Sequence, residues 1–172
     1  VLGFGRAETR RADLARFFRA PALDGSFSEE RLLPSFGETM DRLGLGLEQQ
    51  PNIILDTEQR PTKTPRAYCA PVRIPREVYL VLLPHGGATD YRTLLHELGH
   101  ALHFGYMRDD LPFEFRWLGD NSITEGYAML FDHLLHDSGW LLRYTALGKL
   151  RVAEYRRAAA FEELQFLRRY SA

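Results

Sequence analysis

The sequence predicts a mainly α-helical fold with one small β-sheet, that is, an α+β protein in a single domain. Apolar residues recur at helical spacing in the first 48 residues and again after residue 88. The stretch between them instead holds three short apolar runs separated by six prolines, which is typical of short strands. A chain of 172 residues can bury one sizeable core. We therefore divide the domain into a helical scaffold (1–48), a small sheet (50–84), a central helix pair (88–137) and C-terminal helices (138–172).

The scaffold is predicted to contain two helices that carry no chemical motif. Glu8–Arg19 has the spacing of an amphipathic helix and should end before Pro21, because the residue before a proline disfavours helical geometry. The second helix should begin at Ser28, with two acidic residues in its first turn, and end at Gly44. Pro34 lies inside this pattern and is expected to restart or kink the helix.

Three short strands are predicted before the central helices, at Ile53–Leu55, Ala67–Ala70 and Val78–Leu83. The third run is apolar throughout, which indicates a buried strand. Prolines around residues 66–72 favour an edge position for the second run. The sequence therefore predicts a small antiparallel or mixed sheet, whose open edge could hold an extended peptide by main-chain hydrogen bonds.

The stretch Tyr91–His103 follows the sheet and contains the pattern His-Glu-x-x-His. On a helix, His96 and His100 leave the same face because they lie four residues apart. Two imidazole nitrogens aimed at one point suit a zinc ion. Glu97 lies roughly 100° further round the helix. Its carboxylate should therefore stand beside the metal, where it can take a proton from a water molecule.

Several residues around the pattern indicate that this stretch is a genuine helix. Asp90 is a plausible N-cap and Gly105 a plausible C-cap. Gly99 should cost the helix roughly 1 kcal/mol relative to alanine. We therefore expect a neighbouring element to pack closely against Gly99. Apolar residues form a stripe along the same helix: Leu94, Leu95, Leu98, Ala101 and Leu102.

Zinc needs a third protein ligand, and the local sequence does not supply it. In the extended pattern HExxHxxGxxH, position 103 would be glycine and position 106 histidine, whereas this chain has His103 and Tyr106. Glu125, at the start of another helical pattern 29 positions after His96, is the best candidate further along, and it is the family resemblance given below that distinguishes it from the other downstream acids. The alternative interpretation is a capping box, in which Glu125 bonds back to an N-cap residue, Ser122.

Two further side chains are candidates for supporting roles at the site. Asp132 lies two helical turns after Glu125 on the same face, where it could hydrogen-bond a zinc-binding histidine or remain a solvated acid. His103 falls only about 20° from His96 round the helix, but two turns away. A direct bond from His103 to the metal would require a bent helix. We therefore expect His103 to line the floor of the cleft or to bond a neighbour.

The rest of the chain is predicted to complete the domain. Residues 106–119 form a polar and aromatic loop, which could line a cleft or pack against the neighbouring helix. Two helices should follow, at Trp140–Ala146 and Leu150–Arg169. Apolar residues of the last helix spread round more than one face, which indicates burial on two sides or coverage by another part of the protein.

Composition excludes several classes of function. A net charge of −1 creates no field that favours nucleic acid or an anionic membrane, and the charges of the last helix are of mixed sign. No apolar run approaches the length of a membrane span. Cys69 is the single cysteine, so an intrachain disulfide is impossible. Together with the absence of a signal-peptide pattern before the first predicted helix, this leads us to expect a cytoplasmic protein.

The pattern Thr93–His103, Thr-Leu-Leu-His-Glu-Leu-Gly-His-Ala-Leu-His, followed at a distance by Glu125, resembles the thimet oligopeptidase and oligoendopeptidase F family of zinc peptidases. Arg60–Lys63 and the pair Tyr68-Cys69 also resemble the strand region that precedes the motif in that family. The resemblance covers roughly residues 50–137. Taq-type carboxypeptidases have a similar layout.

The resemblance implies a zincin-like catalytic core that holds one zinc ion and hydrolyses peptide bonds in oligopeptides. By position, His96, His100 and Glu125 would bind the zinc and Glu97 would be the general base. Asp132 falls where oligoendopeptidase F-like members carry a second acid. No nucleic acid or membrane partner is implied.

One departure from the family bears on activity. The family's enzymes are several times longer, and their downstream segment rich in tyrosine and histidine, which stabilises the reaction's tetrahedral intermediate, has no match here. We therefore expect a catalytic-core portion of a longer peptidase, with weak hydrolysis or none from these residues alone. The competing hypothesis is a non-catalytic module that binds zinc or peptide.

Overall fold

The computed structural model of the chain describes residues 5–8, 10, 13, 21–64 and 66–171, with backbone alone for Arg6, Arg169 and Tyr170. The helix expected over Glu8–Arg19 lies almost wholly outside the described residues. A single 3-10 turn is present at Arg6–Glu8.

The described part of the chain is mainly helical with one small sheet, as the sequence predicts. Its strands are β1 (Ile53–Asp56), β2 (Tyr68–Arg73) and β3 (Glu77–Val81). Its α-helices are α1 (Glu29–Leu43), α2 (Ala88–Gly105), α3 (Phe113–Trp117), α4 (Asn121–Asp132), α5 (Ser138–Tyr144) and α6 (Lys149–Tyr170). Further 3-10 turns lie at Pro21–Ser26, Leu47–Gln49 and His133–His136. Among these described helices, none combines the length and apolar composition that crossing a bilayer requires.

The sheet is mixed, with strand order β1-β3-β2. The central strand β3 runs parallel to β1 and antiparallel to β2. Val78 and Leu80 on β3 are completely buried, which confirms the prediction of a buried third strand, although the strand ends at Val81, two residues before the predicted Leu83. The strand β2 lies at an edge of the sheet, as its prolines indicate.

The scaffold helix α1 begins after Ser28 and ends at Gly44, as predicted. Gly44 adopts left-handed backbone geometry, with φ of 71°, and its amide bonds back to the carbonyl of Asp41. The restart expected at Pro34 is wrong, because the helix continues through it. Since proline lacks an N–H, the carbonyl of Glu30 loses its helical partner, but Glu30 is an exposed first-turn residue that water can reach.

The HExxH helix α2 begins two residues earlier than its expected cap. The prediction of Asp90 as N-cap is wrong, because the helix starts at Ala88 and Asp90 lies inside the first turn. The first amide is bonded from a distance: Ala88 N donates to Asp24 Oδ1 at 3.2 Å. Asp90 instead accepts a 2.7 Å hydrogen bond from the amide of His85. The first amide of α2 is therefore hydrogen-bonded by a residue distant in sequence, and not by the local cap that the sequence predicts.

The other end of α2 also differs from the prediction. Gly105 is the last helical residue and Tyr106 is the C-cap, so the expected role of Gly105 as a cap is wrong. A Cβ atom at Gly105 would lie 2.7 Å from Cδ1 of Ile53 on β1. Glycine at this position leaves room for the Ile53 side chain of the sheet, and its role is not to turn the chain.

The buried face of α2 is locked to the scaffold by aromatic packing. Tyr91 meets Phe27 edge-on, with ring centroids 5.3 Å apart, and Trp140 at 6.4 Å. The hydroxyl of Tyr91 donates to the carbonyl of Ser28 at 2.9 Å. The indole N–H of Trp140 in turn donates to Thr39 Oγ1 on α1. These contacts fix the HExxH helix through its buried face and leave its histidine face uncovered.

The two C-terminal helices, α5 and α6, form where the sequence predicts them. A 2.8 Å ion pair from Arg92 to Glu162 ties α6 to α2. One face of α6 is buried, at Val152, Tyr155 and Ala159. Other apolar side chains of α6 are exposed, namely Leu150, Leu164, Phe166 and Leu167. The described residues therefore bury one face of this helix, whereas its sequence suggests that two faces are covered.

The segment after α2 is more ordered than the predicted loop. Its aromatic stretch forms the short helix α3, in which the amides of Phe115 and Arg116 donate to the carbonyl of Pro112. Proline before a helical turn is favourable because its missing N–H has no helical partner to lose. Arg116 also donates to the carbonyl of Ile74, next to the sheet. Phe113, Phe115 and Trp117 remain largely exposed.

Candidate metal centre

Helices α2 and α4 cross at Gly99, and this crossing builds the site. A Cβ atom at Gly99 would lie 2.4 Å from the carbonyl oxygen of Tyr127 and 2.5 Å from Cα of Ala128. Such distances are impossible for any side chain, so only glycine lets the two backbones approach this closely. The close packing predicted at Gly99 is therefore confirmed, and it brings Glu125 beside the histidine face of α2.

The three side chains that the sequence singles out as ligands converge. His96 Nε2 lies 3.5 Å from Glu125 Oε2, and His100 Nε2 lies 3.9 Å from Glu125 Oε1. One potential ligand atom from each residue falls within 4.8 Å of the other two. Atoms bound tetrahedrally about 2.1 Å from one metal would be roughly 3.4 Å apart. Two imidazoles and a carboxylate at these separations form a donor set that fits zinc.

The outer nitrogen of each histidine is held by a different partner on α4 or at its end. His96 Nδ1 lies 3.2 Å from Asp132 Oδ2, and His100 Nδ1 lies 2.8 Å from Thr124 Oγ1. With a proton on Nδ1, each imidazole keeps a lone pair on Nε2, the atom that faces Glu125. Asp132 therefore contacts a candidate zinc histidine rather than standing as a solvated acid. Both contacts fix the orientation that metal binding needs.

The two histidines have different electrostatic surroundings. The hydrogen bond to Asp132 raises the pKa of His96 above its ordinary value, against the opposing effect of burial. Burial lowers the pKa of His100, although Glu97 and Glu125 both act in the opposite direction. Only the neutral imidazole binds a metal, so burial favours the metal-binding form of His100, whereas the bond to Asp132 favours the charged form of His96.

The carboxylate of Glu97 is hydrogen-bonded to the sheet and stands apart from the three converging side chains. Its Oε2 atom accepts a 2.8 Å hydrogen bond from the backbone amide of Cys69 on β2. Glu97 is nonetheless close enough to act on the charge of both His96 and His100. One carboxylate oxygen is thus anchored on the edge strand.

Glu125 does not serve as a helix cap. The N-cap of α4 is Asp120, whose carboxylate accepts a 2.8 Å hydrogen bond from the amide of Ser122. The capping box that the sequence allowed between Ser122 and Glu125 is therefore wrong. Glu125, about half exposed, points its carboxylate at His96 and His100 instead.

His103 lies away from the three converging side chains. Its ring stacks on Tyr127, with centroids 5.0 Å apart and planes 11° from parallel. It lines two cavities, of about 430 Å³ and about 100 Å³. Its Nδ1 atom is buried and has no hydrogen-bond partner among the described residues. Burial also lowers the pKa of His103. These contacts agree with the expectation that His103 lines a cavity rather than reaching the metal.

Sequence reasoning missed two contacts at this site. Nothing in the sequence distinguishes Thr124 from an ordinary β-branched core residue, although its hydroxyl contacts His100. The amide of Cys69 is a backbone group, so no side-chain pattern reveals its bond to Glu97. Burial raises the pKa of the Cys69 thiol to about 12, which favours the protonated form over the thiolate.

Comparison with known proteins returns no matching family model, no matching curated protein and no matching solved structure. The resemblance to the thimet oligopeptidase and oligoendopeptidase F family therefore stays a prediction.

Proposed function

We propose that this chain is the catalytic core of a zinc-dependent peptidase, with His96, His100 and Glu125 as the zinc ligands. One observation carries the proposal: both Nε2 atoms face the Glu125 carboxylate at 3.5 and 3.9 Å. The partners on the Nδ1 atoms, Asp132 and Thr124, support it, because zinc-binding histidines in proteins are usually oriented through their second nitrogen.

Zinc held at this point would acidify a water molecule and polarise the carbonyl of the bond to be cleaved. Glu97 would accept a proton from the attacking water on its free oxygen and later pass it to the leaving amine. Its bond to the amide of Cys69 keeps the carboxylate beside the histidines but prevents it from swinging onto them. This arrangement supports a role as base rather than as ligand.

The position of β2 supports an extended oligopeptide as substrate. Edge strands bind peptides by adding them as a further strand. The outward-facing amide of Cys69 on β2 reaches Glu97, so a peptide lying beside β2 would pass close to the proposed base.

A second candidate is a non-catalytic module that binds zinc or peptide. It is favoured by the position of Tyr127, since a tyrosine hydroxyl beside the metal is the kind of group that stabilises a developing oxyanion. Tyr127 stacks on His103 and lines the larger cavity, away from Glu125. Losing one oxyanion donor typically costs about 10²–10³ in rate.

Hydrolysis of an internally quenched peptide by the zinc-loaded protein tests the proposal. We expect slow cleavage that a chelator abolishes, that added zinc restores, and that Glu97→Gln eliminates. Cleavage that persists unchanged in Glu97→Gln would contradict the proposal. Zinc binding without any detectable cleavage would favour the non-catalytic module. A parallel peptide with an amidated C-terminus distinguishes an endopeptidase, which cleaves it, from a carboxypeptidase, which requires the free carboxylate.

A further inference from the structure

The edge strand β2 turns its backbone groups outward, away from the sheet, at every second residue. Cys69 lies opposite Leu80 of β3, but its amide donates to Glu97 and not to β3. In an antiparallel pair, a residue whose amide points away from the partner strand also points its carbonyl away. The carbonyl of Cys69 therefore faces outward, on the same side as Glu97.

Pro71 is the next residue of β2 that faces outward. It lies opposite Val78, whose amide donates to the carbonyl of Asn52, just before β1. Pro71 and Val78 therefore form a non-hydrogen-bonded pair, which lets a proline occupy an edge strand without losing a ladder bond. The carbonyl of Pro71 thus also faces outward, about 7 Å along the strand from that of Cys69.

Between these two residues, the outer edge of β2 offers hydrogen-bond acceptors but no free donor. The amide of Cys69 is bonded to Glu97, and Pro71 has no N–H. The pairing of β2 with β3 shifts register between Pro71 and Arg73, so the regular edge ends at Pro71. Among the described residues, no main-chain amide outside the sheet donates to either carbonyl. Val72 and Arg73 are exposed, so this part of the strand is accessible.

We propose that the carbonyls of Cys69 and Pro71 bind peptide substrates that carry two free main-chain N–H groups, two residues apart. This inference rests on the proposed peptidase function, since Glu97 marks this edge as the side on which the substrate lies. A strand added in either direction places the amides of alternate substrate residues against these two carbonyls. The substrate carbonyl that faces Pro71 receives no hydrogen bond.

The edge therefore selects substrates by their main-chain donors. A proline or an N-methylated residue lacks the N–H, so both are disfavoured at two alternate substrate positions and tolerated at the position between them. Pro71 is a specificity-determining residue, because an ordinary amino acid in its place would donate one further bond to the substrate.

Peptide binding to the zinc-loaded chain, measured by fluorescence anisotropy before any slow cleavage, tests the proposal. A labelled peptide is first selected for binding from a random-sequence pool. It is then resynthesised with each amide in turn replaced by an ester, which removes one N–H without adding bulk. We expect two esters, two residues apart, to weaken binding by about 2–10-fold each, and the ester between them to have little effect.

Pro71→Ala should strengthen binding of the parent peptide by a similar factor, because this substitution returns an N–H to the outer edge. Pro34→Ala is the matched control, since Pro34 lies on the scaffold helix α1 and not on the sheet. It should leave peptide binding unchanged.

Equal effects of the ester at every position would overturn the proposal, and so would a Pro71→Ala variant that binds no more tightly than Pro34→Ala. Failure to select any binding peptide would overturn it as well. The peptidase function fails separately from this inference. The alternating ester pattern without any cleavage would contradict the peptidase function alone, whereas cleavage without that pattern would contradict only the role of the edge.

Discussion

The hydroxyl of Thr124 lies 2.8 Å from Nδ1 of His100, one residue before the carboxylate that faces the other nitrogen of the same ring. A single turn of α4 thus orients His100 and also contributes the proposed third ligand, Glu125. Any shift of α4 along α2 would disturb both contacts together.

Thr124→Val should weaken zinc binding without unfolding the protein. Valine has nearly the shape of threonine but cannot bond the imidazole, and losing such an outer contact typically costs about 10–100-fold in metal affinity. A competitive titration with a chromophoric chelator measures the change. Thr93→Val is the control, since the Thr93 hydroxyl bonds the carbonyl of Thr89 on its own helix. Equal affinities in the two variants would contradict a role for Thr124 at the site.

Gly99→Ala should separate the two helices that form the site. The added methyl would meet the backbone of Tyr127 and Ala128, so we expect a loss of about 1–3 kcal/mol in unfolding free energy together with weaker zinc binding. Denaturant unfolding and the zinc titration measure these effects.

Gly126→Ala is the matched control for that substitution, because a Cβ atom there has open space within 4 Å. Alanine at this helical position should be neutral or should stabilise by roughly 0.4–1 kcal/mol. If Gly99→Ala were equally harmless, the close helix crossing would not be required.

His103→Ala should retain zinc at full stoichiometry. His103 stacks on Tyr127 and lines the cavities beside it, so its removal should affect packing and not the metal. Metal analysis after gel filtration measures the zinc content. Loss of zinc would mean that His103 reaches the metal after all.

The stability of the sheet should depend on pH through Asp56. Hydrogen bonds from Arg60 and Lys63 hold the pKa of Asp56 far below its ordinary value. In the unfolded chain the pKa of this carboxyl is about 3.9, so the ionised carboxylate of Asp56 stabilises the fold at pH values above about 3.9. This stabilisation is lost as the pH falls towards the lower pKa of the folded chain.

Asp56→Asn should therefore lower the unfolding temperature most at neutral pH, and the difference from the original protein should shrink on acidification to about pH 2. Thermal unfolding across this range measures it, with the exposed Glu114→Gln as control. A difference that grew towards acid pH would contradict the assignment.

Much of the fold and of the site follows from local patterns. The histidine spacing of α2 and the cost of Gly99 in a helix both anticipate what the structure contains. These features are readable because helical periodicity fixes which side chains share a face. The prediction that Glu125 converges on the histidines depended on the family resemblance as well as on spacing.

The features that sequence reasoning missed depend on contacts between distant segments. Asp24 accepts a hydrogen bond from the first amide of α2, which lies 64 residues further along the chain. Asp90 therefore does not have the capping role that the sequence predicts. The bond from Cys69 to Glu97 likewise joins a strand to a helix through a backbone amide. Neither contact has a periodic signature, so only the folded chain reveals them.

The most direct test of the central claim is the zinc content of the tight site in three proteins, measured by competition with a chromophoric chelator. The original chain should bind one zinc ion tightly. Glu97→Gln should bind zinc almost equally, because the bond to the Cys69 amide holds Glu97 apart from the three proposed ligands. His100→Ala should lose tight binding. Tight zinc that survives His100→Ala, or that disappears in Glu97→Gln, would contradict the proposed metal centre.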